Sequence, residues 1–198
     1  MVCKLTPSAP RLILFAGHAG TGKSTLAKRA LPLIIESTGE DFFFLDKDTV
    51  YGAYSAHVMA LTTQNPNDRD SPFYLQNLRD WEYQGLIDIA RENLLLGVNV
   101  ILVGPFSKEI QSGRMLNPKV LGIPEKTKIS IVWIDLEAQE AKTRMEKRND
   151  PRDEWKLNHW DEYVKRRIAP PQHPSIQRFD NLSFDQADFG KLIDHLIK

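Results

Sequence analysis

Short apolar runs alternate along this chain with longer segments of helical period. Arg11–Ala16 is almost continuously apolar, as expected of a strand buried on both faces of a parallel sheet. A helix is predicted over residues 23–37, disturbed or kinked at Pro32, because proline removes a backbone donor and crowds the preceding turn. A second strand, Phe-Phe-Phe-Leu over 42–45, ends at Asp46. Residues 48–61 read as helix, 62–72 as a polar loop rich in Asn, Asp and Pro, and 73–96 as one further helix stopped by Gly97. Strands three and four are expected at 98–103 and 129–134, and residues 105–127 show no clear period. A helix over 137–148 follows. Asp150-Pro151 opens another, with the acid at the cap and proline at the first helical position. A short fifth strand at 176–179 and a last helix at 186–197 complete the pattern. Strands alternating with crossover helices predict an α/β fold: a three-layer α/β/α sandwich on a five-stranded parallel sheet. Its 198 residues suit a single domain, 1–198.

The turn after the first strand carries the most specific chemistry. Gly17-His18-Ala19-Gly20-Thr21-Gly22-Lys23-Ser24 fits G-x-x-x-x-G-K-[ST] in full, and Thr25 continues it into the helix. Glycines let backbone N–H groups converge on phosphates without Cβ clashes, and the helix N-terminus adds its dipole. Lys23 reaches the phosphates, and the Ser24 hydroxyl completes a Mg²⁺ shell. Residues 17–25 are therefore the expected ATP site. The side chain of His18, in the variable stretch, reads as a tolerated surface residue.

Composition narrows the class. Twenty-six basic residues balance twenty-six acidic ones, whereas nucleic-acid binders usually carry a basic excess. Cys3 is the only cysteine, so internal disulfides and thiolate metal clusters are excluded. Lys4 leads no signal-like apolar region. The longest apolar stretch, 94–106, is broken by Gly97 and Asn99 and is too short to span a bilayer. A cytoplasmic location is expected. The five histidines show no metal-ligand spacing, so no Zn²⁺ site is indicated.

The absence of N-K-x-D argues against a GTPase. Asp135 ends the fourth strand like the acid of a motor-type ATPase, but its place just before the helix over 137–148 favours a capping role. The third strand ends in Gly104-Pro105 without an acid. What remains is Phe44-Leu45-Asp46-Lys47-Asp48 after the second strand. With the phosphate loop, this resembles the P-loop small-molecule kinases, in particular the adenylylsulfate kinase and gluconate kinase group. There a strand ending in Leu-Asp-Gly-Asp delivers acids to the acceptor hydroxyl and the Mg²⁺ shell. Lys47 here replaces the glycine. The polynucleotide kinase and zeta-toxin branch is similar, with an Arg shortly after the acid where this chain has Tyr51. The segment 152–163 is similar to uncharacterised AAA-type P-loop kinases.

The resemblance implies a nucleoside-monophosphate-kinase-like architecture with a helical lid over about 144–165 and acceptor-covering helices over about 49–97. Arg144 and Arg148 would close over the transferred phosphate, with Arg152 following, since transition-state charge spreads over the γ-phosphoryl oxygens. The plainer reading is a solvated face with a Glu140–Arg144 pair. One of Asp46 and Asp48 would assist Ser24 at Mg²⁺, Asp48 being assigned to the metal shell, and the other would orient or deprotonate the acceptor. Tyr51, Arg79, Tyr83 and Pro105 are the expected acceptor residues. For Arg79 and Tyr83, a salt-bridged arginine and a half-buried tyrosine are the alternative. The function expected is ATP-dependent transfer to a hydroxyl of a small molecule. A polynucleotide-end kinase or repair-associated ATPase is one alternative, and a regulatory module without transfer activity is another. Partners would be nucleotide and small-molecule acceptor, without membrane.

Overall fold

In a computed structural model of the protein, residues 9–183 and 185–197 are described. Cys3 and Lys4, on which the thiol and leader readings rest, lie outside them. In chain order the elements are β1 (Arg11–Ala16), α1 (Lys23–Thr38), β2 (Phe42–Asp46), α2 (Lys47–Thr63), α3 (Pro72–Asn77) and α4 (Arg79–Leu95). Then come β3 (Asn99–Val103), α5 (Ser107–Gln111), α6 (Pro118–Leu121), β4 (Lys128–Asp135) and α7 (Ala138–Arg148). The chain closes with α8 (Glu154–Asn158), α9 (Trp160–Lys165), β5 (Ile176–Asp180) and α10 (Gln186–Ile197). All pairings are parallel, in the order β2-β3-β1-β4-β5. This is the expected five-stranded α/β/α sandwich.

The double burial expected of β1 is explicit. Ile13 and Phe15 pack with Leu26, Ala30 and Ile34 of α1 and with Leu192 of α10. Leu12 and Leu14 face the other way, onto Leu86, Ala90 and Leu94 of α4. Successive side chains of a strand point to opposite faces, so a strand between two helical layers must be apolar at every position.

Three expectations are completed or corrected. First, α1 continues as helix past Pro32, which supplies no backbone N–H, and stops at Gly39, which takes φ +66° and returns its N–H to Ile35 O. Second, the single helix expected over 73–96 is two. Ser71 caps α3 and Pro72 opens it, and Leu78 leaves helical geometry at φ −123°, ψ −46°. The physical gain lies in what the break brings together. Eight residues along one helix span about 12 Å, yet here the Tyr74 hydroxyl donates to Glu82 Oε2 at 2.6 Å. Third, Asp135 caps nothing. The N-cap of α7 is Glu137, with no side-chain cap bond. The Asp135 carboxylate instead accepts from Trp133 Nε1 (3.1 Å) and Arg178 Nε (2.6 Å).

The stretch without a clear period, 105–127, forms α5, a 3-10 turn at Arg114–Leu116 and α6, closed by Gly122. The helix opened by Asp150-Pro151 begins as a 3-10 turn, with Asp150 accepting from the Arg152 N–H at 3.0 Å, and continues as α8. No helix among the described residues is long and apolar enough to cross a membrane.

Leu14 is fully buried in the central strand, whereas Leu96 is 81% exposed at the end of α4. Leu14→Ala should therefore lower unfolding free energy in urea by about 2–5 kcal/mol. Leu96→Ala should change it by no more than about 0.5 kcal/mol.

Candidate functional site

The cleft opens at the carboxyl ends of β1, β2 and β3, where ligands bind in open parallel sheets. Its volume is about 320 Å³. One end is floored by the loop after β1. Gly17 takes φ +140°, and a Cβ there would lie 2.6 Å from Ile134 O; Gly20, at φ +78°, would meet Ala141 O at 2.7 Å. Both positions demand glycine because the loop is wedged between β4 and α7, not merely because the turn is tight.

Lys23 donates to His18 O at 2.7 Å, which folds its side chain back along the loop. Burial pushes the Lys23 ammonium down to about 8, partly offset by the carboxylate of Asp48. Ser24 Oγ donates to Asp46 Oδ2 at 2.5 Å, while Asp46 Oδ1 accepts from the Asp48 N–H at 2.9 Å as the cap of α2. One carboxylate thus caps a helix and holds the phosphate-loop serine.

The wall opposite the loop is polar and mutually paired. Lys47, only 8% exposed, meets Glu82 Oε2 at 2.6 Å and the Tyr74 hydroxyl at 3.1 Å. Glu82 also accepts from the Ser55 hydroxyl. Arg79 forms a two-pronged bond to Glu109 (2.6 and 3.0 Å) and lies 4.1 Å over the Tyr83 ring. The alternative reading of Arg79 is therefore the one observed: its guanidinium is salt-bridged. Tyr83 is buried rather than half-buried, at 3% exposure, and burial raises its hydroxyl's pKa. Both residues still line the cleft, as does Pro105, whose carbonyl accepts the Gly17 N–H.

The segment from Arg148 to Lys156 closes the third side. Arg148 pairs with Asp153, and Arg152 bonds Asp150 through Nε and Nη2 while its Nη1 lies 3.2 Å from Asp48 Oδ2. Bonding to Arg152 holds the Asp150 carboxyl down at about 2. Lys156 of α8 reaches across to Asp70 at 2.6 Å.

Of the residues expected here, the structure brings together His18, Ala19, Gly20, Gly22, Lys23, Ser24, Thr25, Asp46, Asp48, Arg79, Tyr83, Pro105 and Arg148. Four others do not line the cleft, the first being Gly17, which lies against Ile134 O of β4. Arg144, the second, bonds Glu140 Oε1 (2.9 Å) and Asn181 O (2.9 Å), with Nη1 4.0 Å from where a Cβ on Gly22 would stand. Tyr51 packs over Gly85 of α4, its hydroxyl where a Cβ on residue 85 would stand. Thr21 is buried, its hydroxyl bonded to His18 O. The His18 side chain is no bare surface group either. Its Nε2 lies 2.9–3.0 Å from the backbone O and N of Ile168, and its ring meets Trp133 edge-on.

Sequence reasoning missed Asp70, Tyr74, Asp153, Lys156 and Tyr163 as cleft residues. Tyr163 is instructive. Its hydroxyl accepts from the Ala19 N–H at 3.1 Å, joining α9 to the phosphate loop from 144 residues away. No local pattern could carry that signal. For Lys47 a signal existed: a lysine where the related pattern has glycine.

A family model described as an AAA domain matches residues 12–171. No curated protein matches the chain. Among solved structures, the chain is similar to the APS kinase CysC of Mycobacterium tuberculosis, solved with AMPPNP and APS (20% identity, 97% of this chain and 100% of that one, TM-score 0.62). It is also similar to a sugar kinase of Janibacter sp. HTCC2649 (18%, 96% and 95%, 0.60) and to a gluconokinase of Sinorhizobium meliloti 1021 (14%, 96% and 90%, 0.53). Matching over most of its length and sharing the architecture of these kinases, the chain belongs to the AAA-domain family and has the fold of the P-loop kinases.

Proposed function

We propose that the protein is an ATP-dependent kinase that transfers the γ-phosphoryl group to a hydroxyl of a small molecule. The observation that carries this reading is the 2.5 Å bond between Ser24 and Asp46, with Asp48 two residues on at the same cleft. That arrangement supplies a metal-side acid and an acceptor-side acid from one strand end.

A hydroxyl and a carboxylate are hard oxygen donors, and Mg²⁺ is usually held by one or two such groups together with nucleotide phosphates. The described residues contain no group of three or more His, Cys, Asp or Glu able to hold a metal alone, which suits an ion carried in with the nucleotide. Ser24 and Asp46 would hold it, and bound there it would neutralise charge on the phosphates. Asp48 would then take the acceptor proton. Its carboxylate is 60% exposed toward the cleft and is oriented by Arg152 and by Lys47 at 3.8 Å. Arg148 and Arg152, rather than Arg144, would meet the charge of the transferred group. Arg144 would steady the loop through Asn181, whose amide donates to Thr21 O at 2.7 Å. The wall beyond, with Tyr74, Arg79 and Tyr83, would receive the acceptor.

ATP consumption against a panel of sugars, nucleosides and amino alcohols should rise with a hydroxylated acceptor and vanish in Lys23→Ala. Unchanged consumption in that variant would overturn the assignment. With the acceptor so found, Asp48→Asn should lower kcat by about 10²–10⁴ and leave AMPPNP affinity intact. Asp46→Asn should chiefly raise the Mg²⁺ concentration needed for half-maximal rate. Equal Mg²⁺ shifts in both variants would refute the division of labour.

The depressed Lys23 value also sets a pH dependence. Its folded pKa, about 8, lies below the ordinary 10.5. The unfolded chain therefore binds the extra proton between those limits, and stability rises with pH across that window. Phosphates favour the charged lysine, so AMPPNP affinity measured by calorimetry should be flat below about pH 8 and fall above it. Lys23→Met should abolish the fall; a fall persisting in that variant would assign it to another group.

A further inference from the structure

Within the proposed kinase reading, the cations of the cleft point to the chemistry of the acceptor. Lys47 is matched by Glu82, Arg79 by Glu109, Lys156 by Asp70, Arg148 by Asp153 and Arg152 by Asp150. Two cleft cations have no carboxylate within ion-pair distance among the described residues. One is Lys23, whose position at the phosphate loop accounts for it. The other is Arg69, in the loop between α2 and α3.

Arg69 is half-buried and held in place by backbone alone. Its Nη1 donates to Pro66 O (2.9 Å) and Asp68 O (2.7 Å), and its Nη2 to Gly52 O (3.3 Å). The guanidinium carbon sits 5.5 Å from the centre of the Tyr74 ring. The loop carrying it is rigid for its own reason: Asp68 Oδ1 accepts from the N–H groups of Asp70 and Ser71 at 2.8 and 2.9 Å. A guanidinium has five N–H donors. Three are used, so one on Nε and one on Nη2 remain for a ligand.

We infer that the acceptor carries an anionic group, a phosphate, sulfate or carboxylate, which Arg69 binds over the Tyr74 face. A fixed guanidinium without a carboxylate partner costs desolvation unless an anion completes it, and its fork fits two oxygens of such a group. Of the neighbouring cations, Lys47, Arg79 and Lys156 each face a carboxylate on a separate segment, and Arg148 and Arg152 are assigned to the transferred phosphoryl group. The anion would anchor the acceptor at the wall opposite the phosphate loop, leaving its hydroxyl to Asp48.

The test uses the whole chain saturated with Mg·AMPPNP, which fills the phosphate loop, titrated with inorganic phosphate and separately with sulfate by calorimetry. Saturable one-to-one binding is expected, weakened at least tenfold in Arg69→Ala with AMPPNP affinity unchanged. Arg69→Gln, which keeps an amide donor for the loop carbonyls, guards against a disturbed loop and should show the same loss. Turnover of matched polyols bearing phosphate, sulfate, carboxylate or no charge then identifies the source, and the charged members should be preferred. If AMPPNP does not bind, the kinase reading itself has failed. If AMPPNP binds but neither anion does, or if Arg69→Gln binds them as wild type does, the inference about Arg69 is overturned and the kinase reading stands. Preference for the uncharged polyol would overturn it equally.

Discussion

The carboxylate of Asp46 joins two elements that the sheet keeps apart. β2 and β1 are not neighbours, since β3 lies between them. The contact between the phosphate loop and the end of β2 is made by the Ser24–Asp46 bond. Asp46 can make it because its other oxygen is committed to the first turn of α2, which fixes the side chain before any ligand arrives. A carboxylate accepts through both oxygens, so capping and loop-holding do not compete. The first turn of α2, with Asp48 in it, and Ser24 at the start of α1 are thus held by one group.

Around this junction most of the charged side chains of the cleft are paired. Buried ion pairs are weak sources of stability, because desolvation offsets most of the attraction, but breaking one partner is costly. Their value here is positional. Lys47, Tyr74, Glu82 and Ser55 form one connected set across α2, α3 and α4, and the helix break at Leu78 is what lets Tyr74 and Glu82 meet. The segment 148–156 is tied down in the same way, through Lys156 to Asp70 and Arg152 to Asp48. On the proposed function, nucleotide would exchange some of these contacts for phosphate contacts, and Arg148 and Arg152 rest in carboxylate pairs that bound phosphate would compete for.

The phosphate loop itself receives support from unexpected quarters. His18 reaches Ile168, Tyr163 takes the Ala19 N–H, and Asn181 holds Thr21. Three segments late in the chain thus brace a loop near its start. A loop of glycines at positive φ loses more conformational freedom on folding than ordinary backbone, and these contacts offset that loss by holding it in one shape.

Periodicity placed all five strands and the main helices, because a strand buried on both faces and a helix buried on one leave unmistakable apolar spacing. That residues of the loop at 17–25 and the Asp46–Asp48 pair lie at one cleft follows from the strand ends they sit on, which the same periodicity marks. Arg144 and Tyr51 were read by spacing and analogy, and there the sequence fails, since which way a helical side chain turns is decided by what packs against it. Asp135 looked like a cap and is instead held by Trp133 and Arg178, the second on the neighbouring strand. The pairing of Arg79 with Glu109 and the burial of Lys47 against Tyr74 and Glu82 are properties of contacts 27 to 35 positions apart. Local pattern sets what each segment becomes. Only the packed tertiary structure decides which charges cancel and which remain for a ligand, because Coulomb and hydrogen-bond partners are chosen by distance in space, not along the chain.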